Sequence, residues 1–167
     1  MPKGFDVSTE SSATVEEIHS AFRDADYWRD RLAVFGGDSI RLDSLVVEDG
    51  TITVSTTQDL GNDVLPGLLA KAVPGDLKVL REETWHLTDG QVLHGDVVMT
   101  TSGAPLSGVA TALISPIPAG SVLRFTGTVH MKVPLIGGPI EKYISTQIAE
   151  EIPGVQRFTT RWLTENA

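Results

Sequence analysis

From residue 14 onward the hydrophobic residues of this chain change period twice, and any fold must obey both changes. Between about residues 14 and 36 they recur at helical spacing. From about 38 to 133 they alternate with polar residues, as in half-buried strands. After Pro134 the helical spacing returns and runs almost to the end. Such an order predicts an antiparallel sheet bracketed by helices.

Ahead of the first helical stretch, residues 3–9 alternate, with Phe5 and Val7 opposite Asp6 and Ser8, which predicts a strand. Thr14 and Glu17 form a capping box that opens a short helix. Val15, Ile18, His19 and Phe22 share one of its faces. Asp24 or Asp26 caps a second helix, DYWRDRLAVF, with Tyr27/Trp28, Arg31/Leu32 and Phe35 at helical spacing. Gly36-Gly37 ends it.

The strand region divides at turn residues. Ile40 and Leu42, then Leu45 and Val47, share a strand, and the phase slip at Asp43-Ser44 marks a bulge. Glu48-Asp49-Gly50 turns the chain into a strand with Ile52, Val54, Thr56 and Gln58 on one face. Residues 60–76 then break the pattern with Pro66, Pro74 and interspersed glycines around Val64, Leu65, Leu68, Leu69 and Val73. The expectation there is a loop with one or two helical turns, either plugging one end of the core or closing over a pocket.

Strands resume at 77–87 and 91–101, joined by Thr88-Asp89-Gly90. A two-residue turn would set Trp85 opposite His94 and Glu83 opposite Asp96. A three-residue turn with a glycine bulge sets Trp85 opposite Leu93, Glu83 opposite Gly95, Arg81 opposite Val97 and Val79 opposite Met99. The second register gathers the apolar residues on one face and leaves His86, His94 and Asp96 outside, so burial favours it. A sixth strand is expected at about 106–115. The seventh, 121–133, alternates most clearly, with Leu123, Phe125, Gly127, Val129, Met131 and Val133 on one face.

Beyond Pro134, Gly137-Gly138 and Pro139 open a helix of about 25 residues, roughly 38 Å at 1.5 Å per residue. Its expected inward stripe is Ile140, Tyr143/Ile144, Gln147/Ile148, Glu151/Ile152, Val155, Phe158/Thr159 and Trp162. Pro153 is expected to kink it. The fold class is therefore α+β: a curved seven-stranded antiparallel sheet around a long C-terminal helix, with two short helices between strands 1 and 2. One stripe of side chains cannot fill the space under so wide a sheet. A cavity of a few hundred Å³ is the expected result, the ordinary size for ligand pockets.

This order resembles the SRPBCC superfamily, also called START-like or helix-grip. The stretch HMKVPLIGGPIEKYISTQIAEE, with its strand, Pro, Gly-Gly and helix, is similar to coenzyme-Q-binding and polyketide-cyclase-like members. Pro66, the Glu83-x-Trp85 pair and the Trp162-Leu163 ending resemble a bacterial branch of unknown function. The resemblance spans nearly the whole chain and implies one START-like domain over 1–167. It implies binding of an apolar small molecule or lipid, or cyclase, aromatase or dehydratase chemistry, or a role as receptor or chaperone regulator. A shared fold does not choose among these.

Chemistry-bearing motifs are few. Cys is absent, which excludes a disulfide, a thiolate metal site and a Cys nucleophile. His19, His86, His94 and His130 are scattered and read as surface residues, so no metal is expected. There is no dinucleotide or Walker glycine pattern and no nucleophile elbow, so no cofactor is expected either. With 13 Lys+Arg against 22 Asp+Glu, the net charge of −9 opposes binding to nucleic acid or to anionic lipid. No run approaches the roughly 20 apolar residues of a membrane span, and the start lacks the apolar core of a signal peptide. A cytoplasmic protein without stable membrane anchoring is the expectation; the oligomeric state is open.

What remains is the polar set on the apolar face. Arg81, Glu83 and Gln58 are predicted there, with Tyr143 and Gln147 near the inward stripe of the long helix. Three readings stay open for the charges: a buried Arg81–Glu83 pair, an edge position wetted by solvent, or polar groups that orient a mostly apolar ligand. In an enzyme, Glu83 would be the acid or base. As ligand contacts the sequence nominates Trp28, Gln58, Leu68, Arg81, Glu83, Trp85, Met99, Phe125, Tyr143 and Gln147. The leading reading is a binder of a hydrophobic small molecule or lipid. The alternatives are the enzyme and an interaction module that uses the apolar 60–76 segment.

Overall fold

The computed structural model of the protein describes residues 3–61, 76–89 and 91–167. The elements are β1 (Lys3–Ser11), α1 (Val15–Phe22), α2 (Ala25–Gly36), β2 (Ile40–Glu48), β3 (Thr51–Gly61), β4 (Leu77–Leu87), β5 (Leu93–Ser102), β6 (Leu106–Ile117), β7 (Gly120–Met131) and α3 (Gly137–Glu165). The strands form one antiparallel sheet in the order β1-β7-β6-β5-β4-β3-β2. The chain crosses from one edge to the other only once, through α1 and α2, and then returns strand by strand. The fold is α+β, as the periods demand.

Local chemistry sets the boundaries. Thr14 Oγ1 accepts from the Glu17 amide at 3.1 Å, and Glu17 Oε1 accepts from the Thr14 amide at 3.0 Å, closing the capping box of α1. Asp24 is the residue that caps α2, accepting from the Asp26 amide at 2.9 Å. The β2–β3 turn has Asp49 at φ 51° and Gly50 at φ 79°, the left-handed pair of a tight two-residue hairpin. The β2 register slips between Leu42 and Ser44, so the bulge stands at Asp43. The plug or lid expected at 60–76, with Pro66 and Leu68, falls mainly on 62–75, outside the described residues.

The β4–β5 register differs from both expected pairings. Trp85 pairs with Gly95, Glu83 with Val97 and Arg81 with Met99, and the hairpin closes at Leu87↔Leu93. The connection is longer than a tight turn: the Thr88 amide donates to Val92 O at 2.8 Å. The reason is spatial. A Cβ on residue 95 would lie 2.6 Å from two ring carbons of Trp85, so glycine there makes room for the indole. The slip from the favoured register is two residues, an even number. The inward face therefore stays as expected, and His86, His94 and Asp96 remain on the outer face.

In α3 most of the expected inward stripe is buried or packed on the core, including Ile140, Ile144, Ile148, Ile152, Phe158 and Trp162. The helix runs 29 residues with Pro153 inside it, and Glu141, Ser145 and Gln156 are buried as well. Two expected positions differ: Tyr143 is 44% exposed and Gln147 is exposed. Two polar contacts draw Glu141 and Ser145 inward instead. Glu141 Oε2 accepts from the Met131 amide at 2.8 Å, and Ser145 Oγ donates to Lys3 O at 3.4 Å. Counting apolar residues cannot anticipate a buried carboxylate whose cost is offset by a specific backbone donor.

The core is heavily aromatic at one end. Phe22 sits 4.8 Å from Trp85, and Tyr27 lies 5.3 Å from both Trp28 and Trp162, between centroids. This cluster joins α1 and α2 to the sheet and to the last turns of α3. A smaller cluster of Leu77, Leu106, Val129, Met131 and Ile140 closes the other side. His19, expected at the surface, is buried, and its Nε2 lies 3.2 Å from Gly50 O, tying α1 to the β2–β3 turn.

Candidate functional site

Between the inner face of the sheet, the second half of α2 and the middle of α3 lies a partly open cavity of about 170 Å³. It is smaller than the sequence suggests, because the aromatic cluster fills the volume under α1 and α2. Strand order gives the cavity two different ends. β1, β5 and β7 contribute Phe5, Val97, Met99, Phe125 and Val129, and α3 adds Ile148 and Ile152. β3 and β4 contribute Thr56, Gln58, Arg81 and Glu83, while α2 and α3 add Arg31 and Glu151. The charged groups gather at the β3–β4–α2 end, where Trp28, Leu32, Phe35 and Ile40 also line the cavity.

Glu83 is the most buried of the charged residues that line the cavity, with only 4% of its side chain exposed. A carboxylate so deep must be compensated. Its Oε1 accepts from Trp85 Nε1 at 3.2 Å, and its Oε2 lies 3.2 Å from Arg81 Nε. The expected Arg81–Glu83 pair is thus formed, but Arg81 Nε is buried without a hydrogen bond of good geometry. Both oxygens of Glu83 are engaged, which gives it the place of a counterion.

Arg31 reaches the same end from α2. Its Cζ stands 4.9 Å above the Trp28 ring, and its Nη1 donates to the Tyr27 hydroxyl at 3.4 Å. Tyr27 Oη in turn lies 2.6 Å from Thr159 Oγ1 on α3. Burial works against the charge on Arg31. The electrostatic pull of Tyr27, Glu83 and Glu151 outweighs it, and the guanidinium is held above the ordinary arginine range.

Of the nominated contacts, Trp28, Gln58, Arg81, Glu83, Met99 and Phe125 line the cavity together. Trp85 packs behind it against Phe22 and Gly95 and is joined to the site by its hydrogen bond to Glu83. Tyr143 and Gln147 point to solvent, for the reason given by Glu141 and Ser145, and Leu68 lies outside the described residues. Sequence reasoning did not nominate Phe5, Arg31 or Glu151. Each carried a signal: Phe5 on the inward face of β1, Arg31 three residues after Trp28, and Glu151 beside Ile152 on the long stripe.

Among the described residues no three His, Cys, Asp or Glu side chains gather where they could hold a metal ion. His86 and His94 have ring centroids 5.1 Å apart on the outer face, away from the cavity. No helix among the described residues is long and apolar enough to cross a membrane.

Comparison with known proteins fits this architecture. A protein from Thermus thermophilus superposes with a TM-score of 0.62 at 15% identity, covering 99% of both chains. The di-domain aromatase/cyclase of the steffimycin biosynthetic pathway superposes with a TM-score of 0.61 at 14% identity, over 99% of this chain and 52% of that one. Norcoclaurine synthase from Thalictrum flavum, in complex with dopamine and hydroxybenzaldehyde, gives 0.53 at 17% identity, over 100% of this chain and 89% of that one. These likenesses show the START-like fold. An uncharacterized protein of Mycobacterium tuberculosis is 40% identical over 173 residues, covering 99% of both chains. The profile of the DUF2505 family, described as proteins of unknown function, matches residues 6–163, and the chain belongs to that family.

Proposed function

We propose that the chain binds a small, mostly apolar molecule in the cavity between sheet and α3, for transport or sequestration. The observation that carries the reading is the cavity itself: about 170 Å³, partly open, with an apolar end and a few polar groups at the other. That combination is how ligand pockets achieve affinity and orientation. Its size fits a one-ring compound, since a cavity of roughly 150 Å³ admits benzene. A synthase of the same fold holds dopamine and hydroxybenzaldehyde, which are one-ring molecules.

The enzymatic reading assigns proton transfer to Glu83. Its engagement with Trp85 and Arg81 supports a fixed counterion more than a mobile acid or base. The interaction reading depends on 62–75, outside the described residues. Native mass spectrometry of freshly purified protein, followed by organic extraction and by titration with toluene and 1-naphthol, tests the binding reading. A small organic molecule retained or bound one to one supports it. A chain that is empty and binds neither probe refutes it.

A further inference from the structure

We infer that the cavity selects an aryl carboxylic acid, its ring seated among Phe5, Met99 and Phe125 and its carboxylate held by Arg31 and Arg81. The inference rests on the binding reading above and adds the chemical class of the ligand.

Three observations carry it. The first is unused donor capacity. A guanidinium offers five N–H donors and no acceptor. Among the described residues, Arg31 gives one long hydrogen bond to Tyr27, and Arg81 has only its ion-pair contact with Glu83. Arg81 Nε is buried against Glu83 Oε2, so what Arg81 can offer a ligand is its two Nη groups. A head group that meets these guanidiniums can only accept.

The second is charge. The inner trio of Arg31, Arg81 and Glu83 carries one net positive charge, and both Glu83 oxygens are already used. With Glu151, which also lines this end, the four charges sum to zero, but Glu151 is exposed while Glu83 is held by Trp85 and Arg81. The guanidinium donors of Arg31 and Arg81 are therefore the charged groups left for a ligand's anionic head.

The third is the division of the lining by strand order. The arginines stand at the β3–β4–α2 end, and the rings of Phe5 and Phe125 stand at the β1–β7 end, 5.4 Å apart. A ligand that reaches from the rings to the arginines is met by apolar surface along its length, Met99 and Trp28 included, and by charged donors at the β3–β4–α2 end. Planar, paired N–H donors also suit a carboxylate better than a lone oxygen.

The test uses three probes on the intact chain: 3-phenylpropanoate, 4-phenylbutan-2-one and 3-phenylpropylamine. They share a ring and a short arm and differ in the head: anion, neutral acceptor and cation. Calorimetric titration at neutral pH should show the acid binding at least tenfold more tightly than the ketone, with the amine weakest. Arg31→Gln should cost the acid tenfold or more and leave the ketone within about twofold. Arg81→Gln should do the same. If that variant unfolds because Glu83 is left unpaired, Arg31→Gln and the probe ranking decide alone. A ketone or amine that binds as tightly as the acid overturns the carboxylate assignment while leaving the binding reading intact. No binding by any of the three overturns the carboxylate assignment, and the toluene and 1-naphthol titration then decides the binding reading.

Discussion

Gly95→Ala tests the contact that sets the β4–β5 register and, behind it, the site. Gly95 pairs with Trp85 on β4 and Ala112 on β6, so the backbone is fixed on both sides. An added methyl would lie 2.6 Å from the indole Cε3 and Cζ3 and 2.8 Å from Cδ2. Overpacking of this kind costs about 1–3 kcal/mol. The ring cannot swing clear without disturbing its 4.8 Å contact with Phe22 and its 3.2 Å hydrogen bond to Glu83. Losing that bond adds about 1 kcal/mol. The expected destabilisation is about 2–4 kcal/mol, or roughly 5–15 °C in Tm for a domain of this size. Gly138→Ala is the control. Nothing lies within 4 Å of its added methyl, and residue 138 stands in the first turn of α3, so the change should stabilise by up to about 1 kcal/mol. Urea unfolding followed by tryptophan fluorescence and circular dichroism measures both. A Gly95→Ala protein as stable as the parent would refute the argument, because the indole could then not be lying against residue 95.

Other expectations follow from single contacts. Glu141→Ala removes the acceptor for the Met131 amide and should cost about 1–3 kcal/mol in urea unfolding. Tyr27→Phe breaks the link to Thr159, which still donates to Val155 O, so the loss should be only about 0.5–1.5 kcal/mol. Val155→Phe places a ring in the cavity lining and should weaken binding of 3-phenylpropanoate more than tenfold in calorimetry while circular dichroism stays native. Asp6 is held below its ordinary 3.8 chiefly by the Arg124 hydrogen bond, and Asp43 by Thr57 and then Arg41. A carboxyl lowered in the folded state contributes stability above its unfolded value and loses it as pH falls through the folded value. Urea midpoints should therefore drop from about pH 5 downward, and more shallowly in Asp43→Asn.

Much of the fold was legible because periodicity and caps act locally. Thr14 with Glu17, the Asp43 bulge and Asp49-Gly50 each work through neighbours in the chain, and each formed as read. The β4–β5 register was not legible, because the room that Gly95 gives Trp85 exists only once two strands lie side by side. The outward turn of Tyr143 and Gln147 was hidden for a similar reason. It depends on the Met131 amide, which reaches Glu141 only after β7 and α3 meet.

The alternation of residues along each strand assigned Arg81, Glu83 and Gln58 to the inner face, since side-chain direction is a property of the backbone. Whether that face is filled or hollow is decided between elements. The aromatic side chains of α1 and α2 occupy one half of the interior and leave about 170 Å³ in the other. Packing is a matter of volumes brought together from distant parts of the chain, and no local pattern encodes their difference. The same holds for Arg31, which shares the cavity lining with Arg81 and Glu83 only because α2 packs against β2 at the edge of the sheet.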